Sequence, residues 1–260
     1  MDENKEKFKQ WQETQVHWDD KEFLAKEANA LMKKRWLRLN NIVSKITADE
    51  VVLRNEYVSF LDIGAGRGEF YRIVADMVKK YKGLEPSFEM LKQEITEPEY
   101  ELKRGTGEEL SEENAYDVCL LKEVLDHTYE PGKVLANTYK ALKEGGLIII
   151  TLTNKDSYYK LIFKKKAKEL IGKNKDHLHN FNPGEVKDLL VKTGFKIEKD
   201  MSINYLKLPW GMEDAIGKGS EKSVFGLLEF TDKIFSGLMP GKGGGLIITA
   251  RKGAAPGEGL

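Results

Sequence analysis

Residues 57–68 read Tyr-Val-Ser-Phe-Leu-Asp-Ile-Gly-Ala-Gly-Arg-Gly, and this stretch decides the fold. Its first five residues are aromatic, β-branched or aliphatic except for one serine, which predicts a short buried strand. Three glycines, Gly64, Gly66 and Gly68, follow at alternate positions, and a helix is predicted over 69–80. Glycine suits such a turn because it adopts positive φ and lets a ligand approach the backbone. A strand, a glycine turn and a helix in this order indicate a nucleotide pocket in an α/β sheet.

A second predicted strand, residues 81–85, ends in an acid. Glu85 follows the glycine turn by about 20 residues, where a carboxylate can accept hydrogen bonds from both ribose hydroxyls. The dinucleotide fingerprint G-x-G-x-x-G requires a glycine at position 69, where this chain has Glu69. The spacing and the lack of a recognisable second catalytic domain therefore disfavour a nicotinamide dehydrogenase.

Several motifs resemble those of the class I S-adenosylmethionine-dependent methyltransferases. They are D-x-G-x-G-x-G at 62–68, G-x-E-x-S-x-x-M-L at 83–91, E-V-L-x-H at 123–127 and K-E-G-G-L-I-I-I-T at 143–151. The stretch H-L-x-x-F-x-P-x-E-V-x-x-L-L-x-x-x-G-F at 177–195 is similar to the small-molecule branch of that family that includes the ubiquinone-biosynthesis enzymes. The resemblance is strong over 57–153 and looser over 176–203 and 245–252.

The resemblance implies an α/β fold: a Rossmann-like, seven-stranded methyltransferase sheet with helices on both faces and an antiparallel last strand. We expect this methyltransferase domain to span 56–252, with cap insertions at about 155–175 and 205–243. Residues 1–55 predict a helical N-terminal extension that either covers a sheet face or acts as a lid. Within that extension, Thr47 and Glu50 predict a separate short helix. The glycine- and proline-containing tail, 253–260, is expected to be disordered.

Cofactor-binding residues follow from the resemblance, position by position. The expected cofactor is S-adenosyl-L-methionine, which leaves as S-adenosyl-L-homocysteine. Residues 104–110 match the family's adenine loop, except that Thr106 replaces an aspartate and Ser111 replaces a proline. Threonine can still accept a hydrogen bond. The expected contacts are Asp62, Gly64, Ala65, Gly66, Arg67, Glu85, Pro86, Thr106, Gly107, Glu108, Leu121 and Lys122.

Composition limits the partners and the location. Lysine plus arginine equals aspartate plus glutamate, 42 each, so no global positive charge attracts nucleic acid. The single cysteine, Cys119, excludes a disulfide within the chain and a cysteine-rich metal centre, and no metal site is predicted. The longest aliphatic run, residues 147–152, is too short to cross a bilayer. No signal peptide is recognised, so a cytoplasmic location is expected. The oligomeric state is left open.

The methyl group of S-adenosylmethionine is already activated, so the expected reaction is in-line displacement by a small-molecule acceptor held in position. A hydroxyl acceptor would benefit from a general base, for which His127, His177 and His179 are candidates. His177 is preferred because it matches the first histidine of the 177–195 motif. The alternative function is a regulator or adaptor that binds S-adenosylmethionine or S-adenosylhomocysteine without transferring methyl.

Overall fold

The computed structural model of the protein describes residue 10 and residues 28–92, 97–162 and 178–253. Seven strands within these residues form one sheet in the order β3-β2-β1-β4-β5-β7-β6. Their bounds are Val58–Ile63 (β1), Val78–Glu85 (β2), Tyr100–Arg104 (β3), Tyr116–Lys122 (β4), Leu142–Thr153 (β5), Phe195–Ile203 (β6) and Gly245–Lys252 (β7). The first five strands are parallel, and β7 lies antiparallel between β5 and β6. The predicted sheet is confirmed.

Seven α-helices are found in the described parts of the chain, singly or in pairs between strands or before the first strand. They are Ala30–Arg54 (α1), Tyr71–Val74 (α2), Pro131–Ala141 (α3), Tyr158–Ile162 (α4), Pro183–Thr193 (α5), Trp210–Gly217 (α6) and Glu221–Leu238 (α7). Local sequence determines where α5 begins: Asn182 and Glu185 form a reciprocal capping box, with Pro183 at the first helical position. Gly194, at φ 103°, ends the same helix.

Alternating side chains of the strands bury two apolar cores, one on each face of the sheet. On one face, Leu61 and Ile63 of β1 pack in a cluster with α3 and α5. On the other face, Val58 and Phe60 pack in a cluster with α1. Helices therefore cover both faces, as expected, and α1 is a helix that covers a sheet face. None of the helices in the described parts of the chain is long and apolar enough to cross a membrane.

Two local predictions were wrong. The helix expected over 69–80 is a single turn, α2, followed by a 3₁₀ turn at Ala75–Met77, and β2 already begins at Val78. Long-range pairing of Val78 and Lys80 with β1 extends the strand backwards, although only Val78 has a β-branched side chain that favours it. The separate short helix expected from Thr47 does not form, and α1 runs through this residue without a break. The Thr47 hydroxyl donates to the carbonyl of Val43 within the helix and does not cap a new one.

The connection between β6 and β7 is helical and packs on α1. Three ion pairs among the described residues join the two: Arg35 with Glu213 of α6 at 2.9 Å, Arg38 with Asp232 of α7 at 2.7 Å, and Lys34 with Glu221 of α7 at 3.4 Å. Leu31 of α1 is fully buried against α7. Because β6 runs parallel to β5, this connection begins at the edge of the sheet where the parallel strands end. We call that edge the carboxyl edge.

Several predictions lie outside the described residues. They concern His177, most of the basic stretch 155–175, residues 254–260 of the tail, and nearly all of the stretch that precedes residue 28.

Candidate functional site

The glycine turn after β1 adopts the backbone conformation that its sequence predicts. Gly64, Gly66 and Gly68 have φ values of 73°, 56° and 74°. The N–H groups of Gly64 and Ala65 both donate to the carbonyl of Leu84, at 2.8 and 3.0 Å, which ties the turn to β2. A Cβ on Gly64 would lie 2.2 Å from a methyl of Val124, so the turn also touches the residues after β4.

Glu85 lies at the end of β2 with both carboxylate oxygens oriented by the backbone. One oxygen accepts from the N–H of Gly66 at 2.9 Å, and the other from the N–H of Ser87 at 2.8 Å. These two backbone donors fix the orientation of the carboxylate beside the turn. The side chain is 8% exposed, so the carboxylate lies in a largely desolvated site.

Asp62 is buried beneath the same turn. Its carboxylate accepts a hydrogen bond from the hydroxyl of Tyr81 at 2.5 Å. Burial raises the pKa of Asp62 to about 6, although the Tyr81 hydrogen bond and the charge of Lys122 act to lower it. Burial and the neighbouring Asp62 carboxylate also raise the pKa of Tyr81. Asp62 therefore changes charge near pH 6.

The predicted adenine loop borders a cleft of about 310 Å³. Pro86 and Thr106, both predicted cofactor residues, line it together with Arg104, Gly105 and Glu109. The Thr106 hydroxyl donates to Glu109 at 3.2 Å, and its lone pairs remain available as acceptors. The guanidinium of Arg104 stacks on the Phe88 ring at 4.0 Å. The cleft is polar on this side and adjoins the site of Glu85.

Glu108 is directed away from that cleft. Its carboxylate accepts from the N–H groups of Tyr129 and Glu130, at 2.8 and 3.3 Å, just before α3. Asn137 of α3 donates to the carbonyls of Gly107 and Glu108, at 3.1 and 2.9 Å. Any contact of residue 108 with an adenine would therefore come from its backbone, which α3 holds in place.

At the end of β4, Leu121 is fully buried and Lys122 reaches towards α1. The Lys122 ammonium donates to Asn40 at 3.0 Å and lies 5.7 and 5.3 Å from the ring centres of Trp36 and Phe70. These distances are within the range of cation–π attraction. The N-terminal half of α1 thus adds Trp36 and Asn40 to the carboxyl edge, and nothing in their sequence spacing indicated this.

Residues that follow β4 and β5 form a second polar group, which we call the acceptor-edge cluster: Glu123, Asp126, His127, Lys160 and His179. Glu123 has a φ of 55°, and its carboxylate accepts from the hydroxyls of Thr151 and Thr153 at 3.0 and 3.2 Å. A non-glycine residue in this conformation is strained and is typical of functional sites. The E-V-L-x-H motif identified this place in the sequence but did not predict the positive φ of Glu123.

The two described histidine candidates both lie in this cluster. His127 Nε2 is 4.0 Å from a carboxylate oxygen of Asp126, and the backbone N–H of His179 donates to the Asp126 carbonyl at 3.0 Å. His179 stacks on Phe181, and its Nε2 is buried without a hydrogen-bond partner. Burial lowers the pKa of Lys160, while the charges of Asp126 and two further carboxylates raise it.

The residues present fit S-adenosylmethionine. The turn has positive φ at three glycines, of which Gly64 and Gly66 are partly exposed, and backbone donors orient the Glu85 carboxylate beside it. A cleft lies past Pro86 at the predicted adenine loop. The described residues contain no group of three or more His, Cys, Asp or Glu side chains that could hold a metal ion.

Comparisons with known proteins agree with this arrangement. The chain matches a family model described as a methyltransferase domain over residues 19–200. A ubiquinone biosynthesis O-methyltransferase from Rickettsia bellii is 23% identical over 222 residues, covering 81% of this chain and 90% of that protein.

Solved structures show the same fold. A SAM-dependent methyltransferase from Thermotoga maritima superposes with a TM-score of 0.53 at 20% identity, covering 85% of this chain and 94% of that one. Another from Archaeoglobus fulgidus has a TM-score of 0.53 at 18% identity and covers 82% and 94%. The chain belongs to the methyltransferase-domain family and is an S-adenosylmethionine-dependent methyltransferase.

Proposed function

We propose that the protein transfers methyl from S-adenosylmethionine to a small molecule bound at the acceptor-edge cluster. The observation that carries this proposal is the contact between Gly64 and Val124, which sets the glycine turn directly against the residue that follows Glu123. Cofactor and acceptor positions are therefore neighbours, as transfer by direct displacement requires.

On the cofactor side, Glu85 would accept from the ribose hydroxyls, and Asp62 with the turn 64–67 would hold the amino-acid end. Pro86, Thr106 and the backbone of residues 107–108 would border the adenine, and Leu121 and Lys122 the methionine chain. When bound, S-adenosylmethionine supplies a methyl group activated by its sulfonium. The protein's own task is then to orient the acceptor, exclude water and take up a proton where the acceptor releases one.

On the acceptor side, a histidine would take that proton. His127 and His179 lie close to Asp126, and a neutral imidazole nitrogen can accept a proton. His177 remains a candidate on its motif position. Lys160 adds a donor that could hold an acceptor oxygen.

The strained backbone of Glu123 favours this function over a regulator that only binds the cofactor. The strain lies on the side of the site away from Glu85 and is held by two threonine hydroxyls of β5. A protein that binds the cofactor without a second substrate gains nothing from a fixed carboxylate there. The ubiquinone-biosynthesis relatives support an oxygen acceptor.

The test uses methyl-labelled S-adenosylmethionine with a panel of hydroxylated aromatic compounds and small amines. Glutamine replaces each candidate histidine in turn, at His127, His177 and His179. The variant that lacks the general base should transfer methyl about 100-fold more slowly. The affinity for S-adenosylhomocysteine should not change, and the acid limb of the pH–rate profile should disappear. Tight S-adenosylhomocysteine binding with no transfer to any member of the panel would instead support the regulator.

A further inference from the structure

Helix α7 carries an apolar surface on a second side, beyond the side that packs on the protein. Its buried side consists of Val224, Leu228, Thr231 and Asp232. A separate row of apolar residues on the same helix is exposed; we call it the outer stripe. It comprises Leu227, Phe230, Ile234 and Leu238, which are 37%, 62%, 42% and 72% exposed.

The spacing of these residues places the outer stripe beside the buried side. At about 100° per residue, the buried set covers an arc of about 100° and the stripe extends it to about 200°. A helix that packs on one surface needs only about half of that arc. A contiguous exposed apolar stripe is the kind of surface at which docking occurs.

We propose that the outer stripe is the docking surface of this chain's own leading segment, residues 1–27. The structure describes only Gln10 of that segment. The chain enters the remaining described structure beside α6 and α7, because Asn29 donates to Glu213 at 3.0 Å and the N–H of Ala30 donates to Asp214 at 3.1 Å. This inference does not depend on the identity of the methyl acceptor.

Close contacts hold the start of α1, which directly follows the leading segment, against α6 and α7. A Cβ on Gly217 would lie 2.0 Å from the backbone nitrogen of Leu31, so α6 and the start of α1 are in direct backbone contact. Leu31 in turn packs on Val224 and Leu228, which are neighbours of Leu227 on α7. The described chain therefore resumes, at residue 28, next to the end of α7 where the stripe begins.

Length and composition of the segment also match the stripe. An 18-residue helix such as α7 is about 27 Å long, and 27 residues span about 40 Å even if helical. The segment can thus reach every residue of the stripe. Among its polar residues it carries the large apolar side chains Phe8, Trp11, Val16, Trp18, Phe23 and Leu24. A second copy of the chain or a lipid surface would be the competing occupants.

Photo-crosslinking in the full-length chain tests the proposal. p-Benzoylphenylalanine replaces Phe230 on the stripe or, as the matched control, Glu229, an exposed residue on the polar side of the same helix. After irradiation, mass spectrometry locates the cross-linked peptides. The probe at position 230 should give cross-links within one chain to residues 1–27, unchanged by tenfold dilution, and position 229 should give none.

Hydrogen exchange supplies a second measurement on folded protein. Phe230→Asp combined with Ile234→Asp should speed exchange in peptides covering residues 8–24 at least tenfold, whereas Glu229→Lys should leave it unchanged. Cross-linked dimers that increase with concentration would assign the stripe to a second copy. Cross-links to residues 163–177, or protection that appears only with lipid vesicles, would equally overturn the proposal.

Discussion

Replacing Glu85 with glutamine tests the cofactor site most directly. The change keeps the size of the side chain but replaces one acceptor oxygen by an NH₂ group. In the protein, one oxygen accepts from Gly66 and the other from Ser87, at 2.9 and 2.8 Å. The amide can satisfy only one of these N–H groups, and it offers one acceptor fewer to a ribose.

The magnitude follows from the bonds that are lost. A hydrogen bond to a charged group contributes about 1.5–3 kcal/mol, so S-adenosylhomocysteine should bind about 10- to 150-fold more weakly. The N–H left facing an amide should also lower the free energy of unfolding by about 1–3 kcal/mol. Isothermal titration calorimetry measures the first effect and urea denaturation the second.

The matched control is Glu69→Gln, which makes the same chemical change on an exposed side chain at the end of the same turn. It should leave both quantities unchanged. If folded Glu85→Gln binds S-adenosylhomocysteine as tightly as the unaltered protein does, Glu85 does not contact the ribose. If both variants weaken binding equally, the effect is one of overall charge.

Three further predictions concern the turn, the buried acid and the ion pair of α1. Gly64→Ala should lower the free energy of unfolding by about 2–5 kcal/mol, because it forces alanine to φ 73° and into a neighbouring side chain. Gly132→Ala, which meets nothing within 4 Å, should raise it by about 0.5–1 kcal/mol. Asp62, with its raised pKa, adds stability that is fully present below its ordinary pKa of 3.8 and is lost as pH rises through about 6, and Asp62→Asn should abolish this dependence. Arg38→Met leaves Asp232 buried and unpaired and should cost about 3–5 kcal/mol in urea denaturation.

Each of these predictions has an outcome that contradicts it. Equal stability changes for the two glycine variants would show that the backbone conformation at 64 is unimportant. An unchanged pH profile of unfolding in Asp62→Asn would place the titration elsewhere. If Arg38→Met combined with Asp232→Asn costs as much as Arg38→Met alone, the loss comes from packing of the arginine stem and not from an unpaired charge.

The parts of the site that the sequence predicts are those encoded locally. Gly64, Gly66 and Gly68 are recognisable because the turn needs positive φ at those places, and β2 ends at Glu85 as its position predicts. The antiparallel direction of the last strand could not come from local patterns: it followed from the family resemblance, and the sheet confirms it. Neither source predicted the short α2, because pairing of Val78 with β1 decides where that helix ends.

Contacts between distant parts of the chain were beyond any local pattern. Arg38 and Asp232 are 194 residues apart, and Asn29 and Glu213 are 184 apart, yet these pairs join α1 to the connection between β6 and β7. Glu108 shows a related limit. Its motif position predicted a contact with the adenine, but its carboxylate accepts hydrogen bonds from the N–H groups just before α3. A sequence motif does not specify the direction of a side chain.

Glu85 and Asp62, the two acids nearest the glycine turn, differ in the number and kind of hydrogen-bond donors that they receive. Glu85 receives two backbone N–H donors, whereas Asp62 receives a single tyrosine hydroxyl and is otherwise buried. Because the pKa of Asp62 is raised to about 6, a cation bound beside it would favour the ionised form of the carboxylate. The amino-acid end of S-adenosylmethionine carries an ammonium group. If that group lies beside Asp62, cofactor affinity should fall as pH drops below about 6, while the contact proposed between Glu85 and the ribose should persist.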